Sequence, residues 1–190
     1  ETSLIDNFTE SVSEGLNQNG IEIWINTVKS FTNSQTSRII IKNIIEETPA
    51  ILRSIPQSQY LEWVKQCYRI SEVSEDLSIT YVNATTGVIE NLKPRHLLDW
   101  GNIGLSLYRS SKNSTSLVNN FFKYSPSLCL KLNYEELEIL NDTLKRISTR
   151  SISFSIKILD WVLKISSIAP SDLTSWNRVI NLVSKKLIKD

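Results

Sequence analysis

Apolar residues recur along the chain in four columns that repeat five times. Trp24, Trp63 and Trp100 stand 39 and 37 residues apart, and Trp176 follows after 76, twice the unit. Leu140 fills the missing place, 40 after Trp100 and 36 before Trp176. Three residues before these anchors stand Ile21, Tyr60, Leu97, Leu137 and Leu173. Four residues after them come Val28, Cys67, Gly104, Leu144 and Ile180, and seven after come Phe31, Ile70, Leu107, Ile147 and Val183. Of these twenty positions only Gly104 is not apolar. Offsets of −3, 0, +4 and +7 trace one face of an α-helix, so the pattern predicts a first helix that recurs five times.

A second register follows the first four anchors in the apolar pairs Ile44-Ile45, Tyr81-Val82, Phe121-Phe122 and Ile158-Leu159. Five residues after the first member of each pair stand Pro49, Thr86, Pro126 and Leu163, and further apolar clusters follow. Proline fixes φ and lacks an N–H, so Pro49 and Pro126 are expected to start or kink a helix and to mark a half-turn into the next unit. Polar turns are predicted between the two helices at 32–36, 71–74, 110–114 and 148–151, where Ser, Thr and Asn offer helix caps. Ser171 or Asp172 after Pro170 suits the cap of a last helix.

The expectation is an all-α fold of tandem two-helix repeats stacked as a short α-solenoid, a right-handed array of the TPR or HEAT kind. Residues 1–20 form an irregular or partly helical lead-in, and 21–190 the repeat domain, with units at 21–59, 60–96, 97–136, 137–172 and 173–190. Each unit carries an apolar stripe that only its neighbours can cover. The rival architecture is a closed helical bundle, which would pack the helix of Trp24 against that of Trp176.

Composition agrees. Only five Gly and five Pro in 190 residues are too few for a turn-rich β-fold. Lys and Arg number 21 against 20 acids, a net charge of +1, so no strong field points to nucleic acid or an anionic membrane. Cys67 and Cys129 lie in apolar surroundings and read as small buried hydrophobes, not as a disulfide scaffold or zinc site. No apolar run reaches the roughly 18 residues of a membrane span, and no signal-peptide pattern opens the chain. The start at Glu1 and the lack of methionine lead to the expectation of a fragment excised from something larger; the chain itself is read as cytoplasmic.

The residues with chemical potential are few. His96 is the sole histidine; Asp99 lies within its reach, but no nucleophile completes a catalytic set, and a surface or capping role is expected. Asp76-Leu77-Ser78-Ile79-Thr80 spells D-x-S-x-T, like the metal-ion-dependent adhesion site of von Willebrand A domains. The residues before it are polar, not a buried strand, so Asp76 reads as a cap or first-turn acid. Asn7, Asn83, Asn113 and Asn141 head glycosylation sequons, which carry little weight without a secretory signal. Glu135, Glu136 and Glu138 open the fourth anchor helix, and Lys185, Lys186 and Lys189 close the last, each as the helix dipole prefers. No catalytic, cofactor or metal residue is assigned, and a non-enzyme is expected.

One resemblance adds to this. Leu98-Asp99-Trp100, Gly104-Leu105, Ser110-Ser111, Phe121-Phe122, Ser125-Pro126 and Leu128 resemble a helical repeat of the form W…G-L…S…F-F…S-P…L. That repeat is similar to the helical region of bacterial and archaeal von Willebrand A proteins partnered with MoxR-type AAA+ ATPases. Pro49 and Trp63 extend it loosely, with Cys67 where the third unit has Gly104. The resemblance implies a non-enzymatic adaptor for an ATPase or its client, with the metal-binding A domain elsewhere. Protein-interaction scaffold is thus the first expectation. A helical-repeat nucleic-acid binder is the alternative, and would need basic side chains gathered on one face. A helical enzyme with scattered catalytic residues is the third reading.

Overall fold

In the computed structural model, which describes residues 15–31 and 34–164, every regular element is helical. Eight α-helices follow in order: α1 Gln18–Lys29, α2 Gln35–Ser54, α3 Gln57–Val73, α4 Glu75–Ile89, α5 Leu97–Ser110, α6 Thr115–Cys129, α7 Tyr134–Ser148 and α8 Ile152–Lys164. A short 3-10 turn, Pro94–His96, leads into α5. None of these helices is long and apolar enough to cross a membrane. The odd-numbered helices carry the anchors Trp24, Trp63, Trp100 and Leu140, all buried, and the even-numbered ones carry the paired register. Trp176 and the fifth unit lie outside the described residues, and with them the test of whether the first and last anchor helices pack together.

Helix boundaries follow local capping chemistry. Asn17, Ser34, Ser74, Ser114 and Asn133 each accept a hydrogen bond from a backbone N–H of the following first turn. At α7 the cap is reciprocal: Glu136 N–H donates to Asn133 Oδ1 at 3.0 Å, and Asn133 N–H donates to Glu136 Oε2 at 2.8 Å. Lys112 and Asn113 take positive φ, 54° and 62°, to turn the chain between α5 and α6.

Two expectations differ from what is found. Ser71, Glu72 and Val73 are helical, and the turn at 71–74 shrinks to Ser74 alone, which ends α3 and caps α4. Pro49 and Pro126 sit inside α2 and α6 instead of between units. Buried Ile51 and Leu128 lie beyond them, so the apolar stripe holds the helix past the missing N–H. α1 opens at Gln18, inside the lead-in 1–20 that is expected to be irregular or partly helical.

The chain divides between Asp99 and Trp100 into two compact units. In the first, α1 packs on α3, α2 on α4, and α3 on both α2 and α4. Hydrogen bonds tie these helices at places 38–41 residues apart. Asn17 and Gln57 exchange two hydrogen bonds, 40 residues apart. Glu75 Oε1 accepts from Ser34 and Ser37, 41 and 38 residues back, at 2.6 and 2.7 Å. Asn43 donates to Asn83 at 2.8 Å, 40 apart, and Thr86 donates to Glu47, 39 apart. In the second unit α6 packs on α8, and α7 on both. There Lys131 donates to the Leu163 carbonyl, and the Tyr124 phenol bonds Asp160.

Beneath the apolar columns lies a buried polar contact that recurs. Trp63 Nε1 donates to Thr85 Oγ1 at 3.1 Å, and Thr85 donates in turn to the Tyr81 carbonyl at 2.9 Å. Trp100 Nε1 donates to Ser125 Oγ at 2.8 Å, and Ser125 donates to the Phe121 carbonyl at 2.7 Å. Trp24 is set alike, with a tyrosine inserted: Thr48 donates to the Ile44 carbonyl and bonds Tyr60 Oη at 2.6 Å, while Tyr60 also meets the Trp24 side chain. In every case the hydroxyl lies four residues after the first member of the apolar pair. Where Leu140 is the anchor, Val162 stands at that place, both buried, so no indole N–H needs an acceptor.

Candidate interaction site

The residues singled out for chemistry are placed apart and are mostly committed to structure. His96, in the 3-10 turn, is half-buried and not fully on the surface. Its Nε2 accepts from Arg95 at 3.0 Å and its Nδ1 lies 3.5 Å from the Asp99 carboxylate. Asp76 is an exposed first-turn acid of α4. Of the hydroxyls that follow it, Ser78 is buried and donates to the Cys67 carbonyl at 2.8 Å, and Thr80 donates to the Asp76 carbonyl at 3.1 Å. The D-x-S-x-T hydroxyls thus serve helix contacts instead of facing a common point. Among the described residues no His, Cys, Asp and Glu gather in a group able to hold a metal ion.

The three acids of α7 divide as well. Glu136 is buried in its capping box, Glu138 accepts from Tyr134 at 3.0 Å, and Glu135 is exposed. Both cysteines are free and buried. Burial raises both thiols, that of Cys129 to about 12, so neither presents a thiolate at neutral pH. Of the sequon asparagines, Asn83 accepts from Asn43, Asn113 forms the α5–α6 turn, Asn141 is buried, and Asn7 lies outside the described residues. Lys185, Lys186 and Lys189 lie outside them too.

The feature that sequence reasoning missed is an open groove of about 520 Å³ between α1 and α3. Ile23, Asn26, Thr27 and Ser30 line one wall, and Lys65, Tyr68, Arg69 and Glu72 the other. It lies on the face of α1 and α3 opposite the anchor columns. Lys65 is held 2.7 Å from Glu62. The Tyr68 phenol is hydrogen-bonded to Glu72, and that bond and charge raise its ionisation. Tyr68 also meets Phe31 edge to face, with ring centroids 5.4 Å apart. Thr27 and Ser30 turn their hydroxyl hydrogens back onto the Ile23 and Asn26 carbonyls at 2.8 and 3.1 Å, leaving their lone pairs outward. The only sequence signal for the groove was the run of polar residues between columns. It could not be read as a wall without knowing which helix stands beside which.

No family model, no curated protein and no solved structure matches the chain.

Proposed function

We propose that this chain is a non-enzymatic protein-interaction scaffold built as a short α-solenoid of two-helix repeats. The observation that carries the architecture is the set of side-chain bonds between residues 38–41 apart, one repeat length, in the first unit. Equivalent helices there lie side by side, as nearest-neighbour stacking of repeats requires. Such stacking would leave first-helix faces exposed, and the groove between α1 and α3 lies between two of them. Its walls mix cations, an acid, amide and hydroxyls, which suits polypeptide better than phosphate backbone; a net charge of +1 favours the same choice.

The deciding experiment is a selection of a displayed random-peptide library on the immobilised full chain, run beside titrations with short DNA and RNA oligonucleotides. Saturable peptide binders that compete with one another support the scaffold. Oligonucleotide binding that weakens steeply with salt, with no peptide enriched, would make it a nucleic-acid protein instead. The likeness of residues 97–140 to von Willebrand A-associated repeats extends the proposal to an AAA+ ATPase or its client as the partner. Failure of a MoxR-type ATPase to associate with the chain removes that extension and leaves the scaffold reading in place.

A further inference from the structure

The even-numbered helices hold one another through fixed places in their register. Counted from the first member of each apolar pair, Asn43 and Glu47 of α2 stand one before and three after, and they bond Asn83 and Thr86 of α4. In the second unit Tyr124 of α6, again three after, bonds Asp160 of α8. At those same two places α8 carries Lys157 and Trp161. Among the described residues α8 is the last helix, and it packs on α6 and α7.

The side of α8 that these places mark is open. Trp161 is 43% exposed and meets Phe154 edge to face, with ring centroids 6.0 Å apart. Phe154 is half-buried, whereas Ile40, Leu77 and Leu117 at its register position are buried. Phe154, Lys157, Trp161 and Lys164 stand at i, i+3, i+7 and i+10, so aromatic and cationic side chains alternate along one side of the helix. Both lysines are exposed and have no ion pair among the described residues. The one acid of α8, Asp160, bonds Tyr124 on α6. With every acid counted, residues 100–164 hold nine bases and five acids, a net charge of +4. The described part of the first unit holds eight bases and nine acids, a net charge of −1.

Resting on the scaffold reading above, we propose that this side of α8 docks an amphipathic, acidic α-helix of a partner protein. The helical form follows from the way α4 meets the same places of α2, and α8 those of α6. The apolar side of the incoming helix covers Trp161 and Phe154, and carboxylates flanking it meet Lys157 and Lys164. Trp161 is the anchor, a large ring already held on a rigid helix, so its burial costs little ordering.

The test is a displayed library of helical peptides, randomised along one side and selected on the immobilised full chain. Each enriched peptide is remade with a fluorophore and measured by anisotropy. The expected sequences carry Leu, Ile or Phe at helical spacing with Asp or Glu beside them. Trp161→Ala should weaken them by roughly tenfold or more. Lys157→Glu combined with Lys164→Glu should do the same, and changing the peptide's acids to Lys should restore binding to that variant. All three positions are exposed, and unchanged circular dichroism and melting show that the variants remain folded. A proline in the middle of the peptide should abolish binding. Equal binding by Trp161→Ala and the parent, enrichment without acids, indifference to the proline or no enrichment overturns the assignment to α8, while saturable binders from the random library keep the scaffold standing. A labelled single-stranded oligonucleotide whose binding falls steeply with salt and is lost in Trp161→Ala makes this face a nucleic-acid platform and overturns the helix. If neither library yields a binder, both readings fall.

Discussion

Gly104 is the one non-apolar member of the anchor columns, and its replacement by alanine tests the packing directly. A methyl carbon built there would lie 2.1 Å from Cζ, 2.4 Å from Cε1 and 3.1 Å from Cε2 of Phe122. Carbon atoms rest at about 3.5 Å or more, so the ring must retreat by roughly 1.4 Å. It has nowhere to go. Phe122 is fully buried, packs edge to face on Trp100 at 5.3 Å, and lies 5.8 Å from Phe121. Trp100 in turn is fixed by its bond to Ser125. Overpacking of this kind costs about 1–3 kcal/mol, while alanine in place of glycine returns up to about 1 kcal/mol of helix propensity. The depth of the overlap puts the net loss near about 2 kcal/mol, or about 4–8 °C in Tm for a chain of this length. Urea unfolding followed by tryptophan fluorescence measures it. The companion experiment is the same substitution on a Phe122→Leu background, where the shorter side chain should leave Gly104→Ala neutral or stabilising. A Gly104→Ala protein as stable as its parent, or a loss just as large on the Phe122→Leu background, refutes the reasoning.

Three further outcomes are expected. Ser125→Ala and Thr85→Val should each cost about 1–3 kcal/mol by leaving a buried indole N–H without its acceptor, whereas Thr85→Ser should cost much less; equal losses in urea titrations would show that the hydroxyl is not what matters. The raised native ionisation of Cys129, about 12, means that the folded chain keeps a proton the unfolded chain releases above about pH 8.5. Its contribution is therefore whole below that pH and is lost as pH rises towards the native value, so the urea midpoint should fall from about pH 8 to about pH 10, and less so in Cys129→Ala. Calorimetry with Mg²⁺ or Mn²⁺ should give no site that depends on Asp76, and a heat lost in Asp76→Ala would contradict its assignment as a first-turn acid.

The helices are legible in the sequence because burial on one side of a helix forces a period of 3.6, and Trp24, Trp63, Trp100 and Leu140 mark it with large side chains. Their partners are legible too, though less plainly. Thr48, Thr85 and Ser125 stand at one register position, and Val162 takes that position where Leu140 replaces tryptophan. The turn at 71–74 departs from expectation because Ser71 and Glu72 suit a turn by local preference, but Ile70 and Leu77 are buried and the helices run up to a single residue between them. Pro49 departs for the same reason: packing of Ile44 and Ile51 outweighs one missing backbone bond. The groove depends on two helices about 40 residues apart in sequence standing side by side, and no local pattern encodes that.

The pairing of Leu140 with Val162 has a consequence for how such a chain can change. A tryptophan introduced at 140 alone would bring an indole N–H to a place where Val162 offers no acceptor, whereas a threonine introduced at 162 alone could still donate to the Ile158 carbonyl, as Thr85 donates to that of Tyr81. Within the existing pairs, losing the hydroxyl strands the indole at about 1–3 kcal/mol, while losing the tryptophan leaves the hydroxyl bonded to its carbonyl. Passage between the polar and the apolar state is therefore ordered: the hydroxyl arrives first and leaves last.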